Sequence, residues 1–112
     1  MSRAISVELL LSAQESANPP LVIDVRRAPI FEVADELVAG AVWRDPAQVD
    51  AWSVELGRSG VVVVYCVHGH QVSQGCASRL EELGFDVRFL EGGFEGWKLA
   101  GGAVARKEGG SS

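Results

Sequence analysis

No stretch of this 112-residue chain is apolar for the roughly 20 residues that cross a bilayer, so it encodes no transmembrane helix. The opening MSRAISVELLLSAQES carries one arginine and a short apolar patch interrupted by Glu8. No small-residue cleavage site follows, so it reads as mature protein rather than a signal peptide. Cysteine is scarce: Cys66 and Cys76 are the whole supply, too few for a disulfide framework. The expected setting is therefore a reducing cytoplasm. Positive charge is also short, 10 Lys and Arg against 15 Asp and Glu, for a net charge of −5 with no basic block. That balance argues against nucleic acid or an anionic membrane as a partner. No repeat or linker interrupts residues 5–104. The length suits one domain, placed at residues 1–104, followed by a flexible polar tail at 105–112.

What the chain does have is an alternation of strand and helix signals. Ser6 is placed to cap a helix with Val7, Leu10 and Leu11 on its apolar stripe, stopped by Asn18-Pro19-Pro20. LVIDV at 21–25 reads as a buried strand, residues 29–38 carry weak helical spacing, and AVW at 41–43 suits a short strand. Asp45-Pro46 then reads as an N-cap followed by proline at the first helical position, with Val49, Trp52 and Leu56 on one face and Gly57 at the end. VVVVY at 61–65 is apolar at every position, as a strand covered on both faces must be. A helix with Val72, Cys76, Leu80 and Leu83 on one stripe follows, ended by Gly84. VRFL at 87–90 is a further strand, and Gly92-Gly93 leads into a short helix with Phe94 and Trp97 as core. The pattern predicts an α/β fold, a mainly parallel central sheet flanked by helices on both faces.

Both cysteines and both histidines fall within residues 66–76. Cys66 directly follows the most apolar strand, and a loop of about six residues separates it from the next helix. Sites in open parallel sheets form beyond the carboxyl ends of the strands. Loop N–H groups and a helix N-terminus there stabilise an anion and favour a thiolate. Gly69 allows the loop backbone angles that a β-carbon would forbid. Cys76, on the apolar stripe, reads as core.

Three segments carry a family resemblance. Leu21-Val22-Ile23-Asp24-Val25-Arg26 ends in Asp-Val-Arg. Tyr65-Cys66-Val67-His68-Gly69-His70-Gln71-Val72-Ser73 has the form of an active-site loop, cysteine first and glycine fourth. Leu83-Gly84-Phe85-Asp86-Val87 and then Leu90-Glu91-Gly92-Gly93-Phe94-Glu95-Gly96-Trp97 form a closing segment. In order and spacing these resemble a single-domain rhodanese, a thiosulfate sulfurtransferase, over about residues 6–104. The resemblance implies a catalytic Cys66 that carries sulfane sulfur as a persulfide, within an active-site loop of Val67, His68, Gly69, His70, Gln71 and Val72. It implies a small donor such as thiosulfate and an acceptor that is cyanide, a thiol or a protein, with no cofactor. Asp24 and Arg26 are then structural braces for the loops.

Two departures bear on the site. The region from Ile30-Phe31-Glu32 to Ala39-Gly40-Ala41 is two residues longer than the family's pattern and lacks its histidine. The loop lacks the Arg or Lys that many members place there. His70, beside the sulfur, is then a candidate to offset the charge of an anionic donor, with His68 acting on loop order. Arg44, just past a short strand, is a second candidate for donor binding, and Trp43 beside it either walls the pocket or fills core. A metal bound by Cys66, His68 and His70 is disfavoured, since a loop wrapped around one sulfur does not present three ligands tetrahedrally. Phosphatases and arsenate reductases of related fold use Cys-x5-Arg, but the sixth residue after Cys66 is Val72. A non-catalytic persulfide carrier or sensor working with a partner protein is the other alternative.

Overall fold

The computed structural model describes residues 3–57, 60–69 and 71–107. Its centre is a five-stranded, wholly parallel sheet. The strands are β1 (Arg3–Ile5), β2 (Leu21–Asp24), β4 (Val42–Trp43), β5 (Val62–Tyr65) and β6 (Val87–Leu90), in spatial order β1-β6-β5-β2-β4. The β5 strand lies in the middle, where neither edge nor face meets water. That position is why it consists of valine and tyrosine, all four residues being buried. Its side chains alternate between two cores. Val62 and Val64 join Ile23, Trp52, Cys76 and Leu80 on one face. Val63 and Tyr65 join Val7, Leu10, Phe94 and Trp97 on the other. Each fully buried aliphatic or aromatic side chain of this kind contributes about 1.5–3 kcal/mol.

The helices α1 (Val7–Gln14), α3 (Val49–Ser53), α4 (Gln71–Glu82) and α5 (Gly93–Leu99) contribute to the two cores, while α2 (Ala28–Val33) buries no residue. The expected caps form. Ser6 Oγ accepts from Leu9 N at 3.1 Å. At the end of α4, Gly84 takes φ +96°, Gly84 N donates to Glu81 O and Phe85 N donates to Leu80 O, both at 3.0 Å. These two bonds satisfy carbonyls that the last helical turn leaves open and turn the chain into β6.

Three local expectations change. The helix after Asp45 is shorter than its apolar spacing suggests: a 3-10 turn at Pro46–Gln48 precedes α3, which ends at Ser53. Asp45 Oδ1 accepts from Ala47 N at 2.9 Å, and Asp45 O accepts the Trp52 indole N–H at 2.8 Å. Both bonds tighten this turn beneath the buried indole. The weak 29–38 signal resolves into α2 and a strand, β3 (Glu36–Val38). Of the tail expected at 105–112, residues 108–112 lie outside the described residues, and the first residues are paired. Ala105 and Arg106 belong to β7 (Val104–Arg106), which pairs antiparallel with β3, and Lys107 N donates to Asp35 O at 2.8 Å. No described helix is long and apolar enough to cross a membrane.

Candidate active site

The β2 and β5 strands end level with one another, Asp24 opposite Tyr65, and the residues after each form the site. A buried network ties these ends together. The Arg26 guanidinium meets the Asp24 carboxylate with Nε at 3.0 Å from Oδ1 and Nη2 at 2.6 Å from Oδ2. Arg26 Nη2 also donates to Glu36 O at 2.9 Å. The Tyr65 hydroxyl donates to Asp24 Oδ2 at 2.9 Å and accepts from Val38 N at 3.0 Å. Burial, reinforced by the neighbouring carboxylate, holds the Tyr65 proton far above the usual phenol range. The Arg26 side chain lies over the Phe94 ring, 4.6 Å from its centroid. Breaking one partner of such a network strands a buried charge, so it fixes the residue that follows Tyr65.

That residue is Cys66. Two of the loop's carbonyls are held from behind by the first turn of α5: Cys66 O accepts from Phe94 N at 2.8 Å and Val67 O from Glu95 N at 3.1 Å. A third carbonyl, Gly69 O, accepts from Gln74 Nε2 at 3.0 Å. The backbones approach so closely that only glycine fits at two points. A β-carbon on Gly93, at φ +59°, would lie 2.5 Å from Cys66 O, and one on Gly69, at φ +76°, would lie 2.7 Å from Leu90 O. The Gly-Gly pair of the closing segment therefore serves the cysteine loop directly. On the other side, Cys66 Sγ lies 3.2 Å from Ser73 Oγ in the first turn of α4.

Cys66 opens to a cavity of about 500 Å³. Val67 and His68 line it from the loop and Gln71 and Val72, which the sequence reading placed in the loop, line it from the first turn of α4, whereas Gly69 is buried behind it against the β6–α5 turn. His70 lies outside the described residues. Arg26, read from sequence as a brace, bonds Asp24 and also lines the cavity. Arg44 does not line it. This residue is exposed, and its backbone N donates to Asp24 O. Trp43 does not line it either, since its indole donates to Arg26 O at 2.8 Å and its ring stacks on Phe31 at 4.9 Å.

Two residues not singled out from the sequence come to the sulfur's neighbourhood. Arg27 is exposed, lines the cavity and forms no ion pair among the described residues. The signal for it was the tandem arginine directly beyond a strand end. Ser73 is fully buried on the α4 face that also buries Cys76, Ala77 and Leu80. A serine on an apolar stripe needs a partner, and that need was the readable clue. Cys76 faces a second cavity between α3 and α4, and burial pushes its thiol up to about 12, with Cys66 and Asp45 adding to the effect.

Comparison with known proteins adds an independent finding. Residues 6–100 match the model of the rhodanese-like domain. The chain is 38% identical over 79 residues to the thiosulfate sulfurtransferase GlpE of Coxiella burnetii, covering 70% of this chain and 71% of that one. It is 33% identical over 76 residues to the thiosulfate sulfurtransferase GlpE of Tolumonas auensis, covering 67% and 69%. The crystal structure of a full-length protein from Lactobacillus plantarum superposes with a TM-score of 0.83 at 26% identity, covering 93% of this chain and 88% of that one.

Proposed function

The chain belongs to the rhodanese-like family, and from that premise we propose that it is a sulfurtransferase whose Cys66 moves sulfane sulfur from thiosulfate or a related donor to cyanide or a thiol. The observation that carries this is the anchoring of the loop. Each peptide unit whose carbonyl is bound by α5 directs its N–H the opposite way. The carbonyls of Cys66 and Val67 are held on the α5 side, so the N–H groups of Val67 and His68 turn toward the other, concave side of the loop. Donors fixed in that way stabilise negative charge without having to reorganise during the reaction. The N-terminal turn of α4, reached by the sulfur at Ser73, favours the same charge.

The cycle has two displacements. Cys66 thiolate attacks the outer sulfur of thiosulfate, a new S–S bond forms, and sulfite departs with the electron pair of the bond it loses. Cyanide or a thiolate then attacks the outer sulfur of the Cys66 persulfide, and the pair of the broken S–S bond returns to Cys66 Sγ. Thiocyanate or a new persulfide leaves. Splitting the transfer at a covalent intermediate implies ping-pong kinetics.

The donor is a dianion approaching a chain of net charge −5. Arg26 is largely neutralised by Asp24. Arg27, lining the cavity without an ion pair among the described residues, takes the place of Arg44 beside His70 as a donor-binding group. The test is steady-state thiocyanate formation with both substrates varied. Parallel double-reciprocal lines, abolished in Cys66→Ser, are expected. Intersecting lines, or activity that survives Cys66→Ser, would refute the persulfide cycle.

A further inference from the structure

Ser73 is the third residue of α4, fully buried, with its hydroxyl oxygen 3.2 Å from Cys66 Sγ. Its helix face otherwise buries Cys76, Ala77 and Leu80, and the sulfur is the partner the structure gives its hydroxyl. A hydroxyl both donates and accepts, so against a neutral thiol the bond can run in either direction. Against a thiolate the sulfur can only accept, the hydroxyl must donate, and the bond becomes charge-assisted.

We propose that Ser73 is the hydrogen-bond donor that makes Cys66 a good leaving group, acting chiefly in the second half of the cycle. The inference rests on the sulfurtransferase reading above. Its logic follows the charge. In the free enzyme the negative charge sits on Cys66 Sγ, beside the Ser73 hydroxyl. In the persulfide it moves to the outer sulfur, and Sγ becomes a neutral sulfur with two covalent bonds and little accepting power. When the acceptor's lone pair attacks the outer sulfur, the bond from that sulfur to Sγ breaks. The electron pair stays on Sγ, and the Ser73 O–H donates to it as charge develops. No proton is transferred and no oxidant is needed. The bond is strong before loading, weak in the persulfide and strong again after discharge, so it hinders loading and helps discharge. Thiol exchange follows the same rule: a thiolate of lower pKa attacks less readily and leaves faster.

A merely space-filling Ser73 would touch both half-reactions alike. The two are separated by single-turnover kinetics on wild type, Ser73→Ala and Ser73→Thr, with the pH profile of iodoacetamide alkylation of Cys66 as a readout that needs no sulfur transfer. In Ser73→Ala, cyanide discharge of the preformed persulfide should slow about tenfold. Loading by thiosulfate, measured where Cys66 is fully ionised, should stay within about threefold of wild type or rise. The alkylation midpoint should move up by about one pH unit. Ser73→Thr, which keeps the hydroxyl, should restore discharge and midpoint. Equal loss in both half-reactions, an unmoved midpoint, or unaltered discharge in Ser73→Ala would each overturn the role of Ser73 while leaving Cys66 as carrier. Wild-type protein that takes no sulfur from thiosulfate would instead overturn the sulfurtransferase reading, and the leaving-group role with it.

Discussion

Cys66 and Cys76 are buried almost equally, 6% and 4% exposed, and lie ten residues apart in the same strand–loop–helix unit. Their chemistry is set by what surrounds them. Cys66 has a loop whose carbonyls are tied off behind it and a hydroxyl at 3.2 Å, while cavities with arginine in their lining lie beside both thiols. Cys76 sits one helical turn beyond Ser73 among Ile23, Val64 and Leu80. Burial there pushes its thiol up to about 12. Burial alone does not separate the two thiols; on the proposed function the direction of nearby dipoles does.

The largest expected effect sits on the two sulfurs themselves. Cys66→Ser should abolish turnover, because an alcohol at neutral pH offers no comparable anion. Cys76→Ala should retain most activity and lose about 1 kcal/mol of stability, as a small core truncation does. Urea titration and the thiocyanate assay together check the pair.

Next come the glycines that support each region. Gly93→Ala forces a β-carbon to within 2.5 Å of Cys66 O. Displacing the loop by a fraction of an ångström to an ångström should cost about 100-fold in kcat/KM. Gly75, in α4 near Cys76, has open space around its missing β-carbon. Gly75→Ala should therefore stabilise the protein by about 0.5–1 kcal/mol and leave turnover unchanged. Equal activity losses in the two variants would remove the distinction between the regions.

A smaller effect is expected from the arginines. Arg27→Ala should raise the KM for thiosulfate about five- to tenfold, with the difference shrinking at high salt, and Arg44→Ala should leave it unchanged. The opposite ranking would return donor binding to Arg44.

The smallest effect is the pH response of Cys76. Its folded pKa lies above the ordinary thiol value of 9.0, at about 12. The protonated thiol is thus favoured by folding. Its contribution to stability is complete below about pH 9 and falls as pH rises toward 12. Chemical denaturation at pH 8 and pH 10 should show a loss in wild type that Cys76→Ala reduces.

Much of this was readable in the residues. The all-apolar β5, Gly84 after α4 and Cys66 at the strand end declared themselves, because each obeys a local rule. The β1 strand did not: Arg3–Ile5 is a short edge that pairs with β6, distant in sequence. Nor did the β3–β7 ribbon, where Glu36–Val38 meets Val104–Arg106 through pairing that local pattern does not encode. The same reason hid Arg27 and favoured Arg44, since each follows a strand but only the tertiary register says which one lines the cavity beside Cys66. Ser73 was missed because the apolar spacing of α4 drew attention to Val72, which lines the cavity.

The most direct test of the contrast between the cysteines is peptide mass mapping of wild-type protein after brief exposure to thiosulfate, before and after cyanide. Cys66 and Cys76 share one tryptic peptide, 59–79, so fragment ions that break the chain between them locate the sulfur. A gain of one sulfur, about 32 Da, assigned by those fragments to Cys66 and removed by cyanide is the predicted result. The same gain on Cys76, with Cys66 unmodified, would contradict the account.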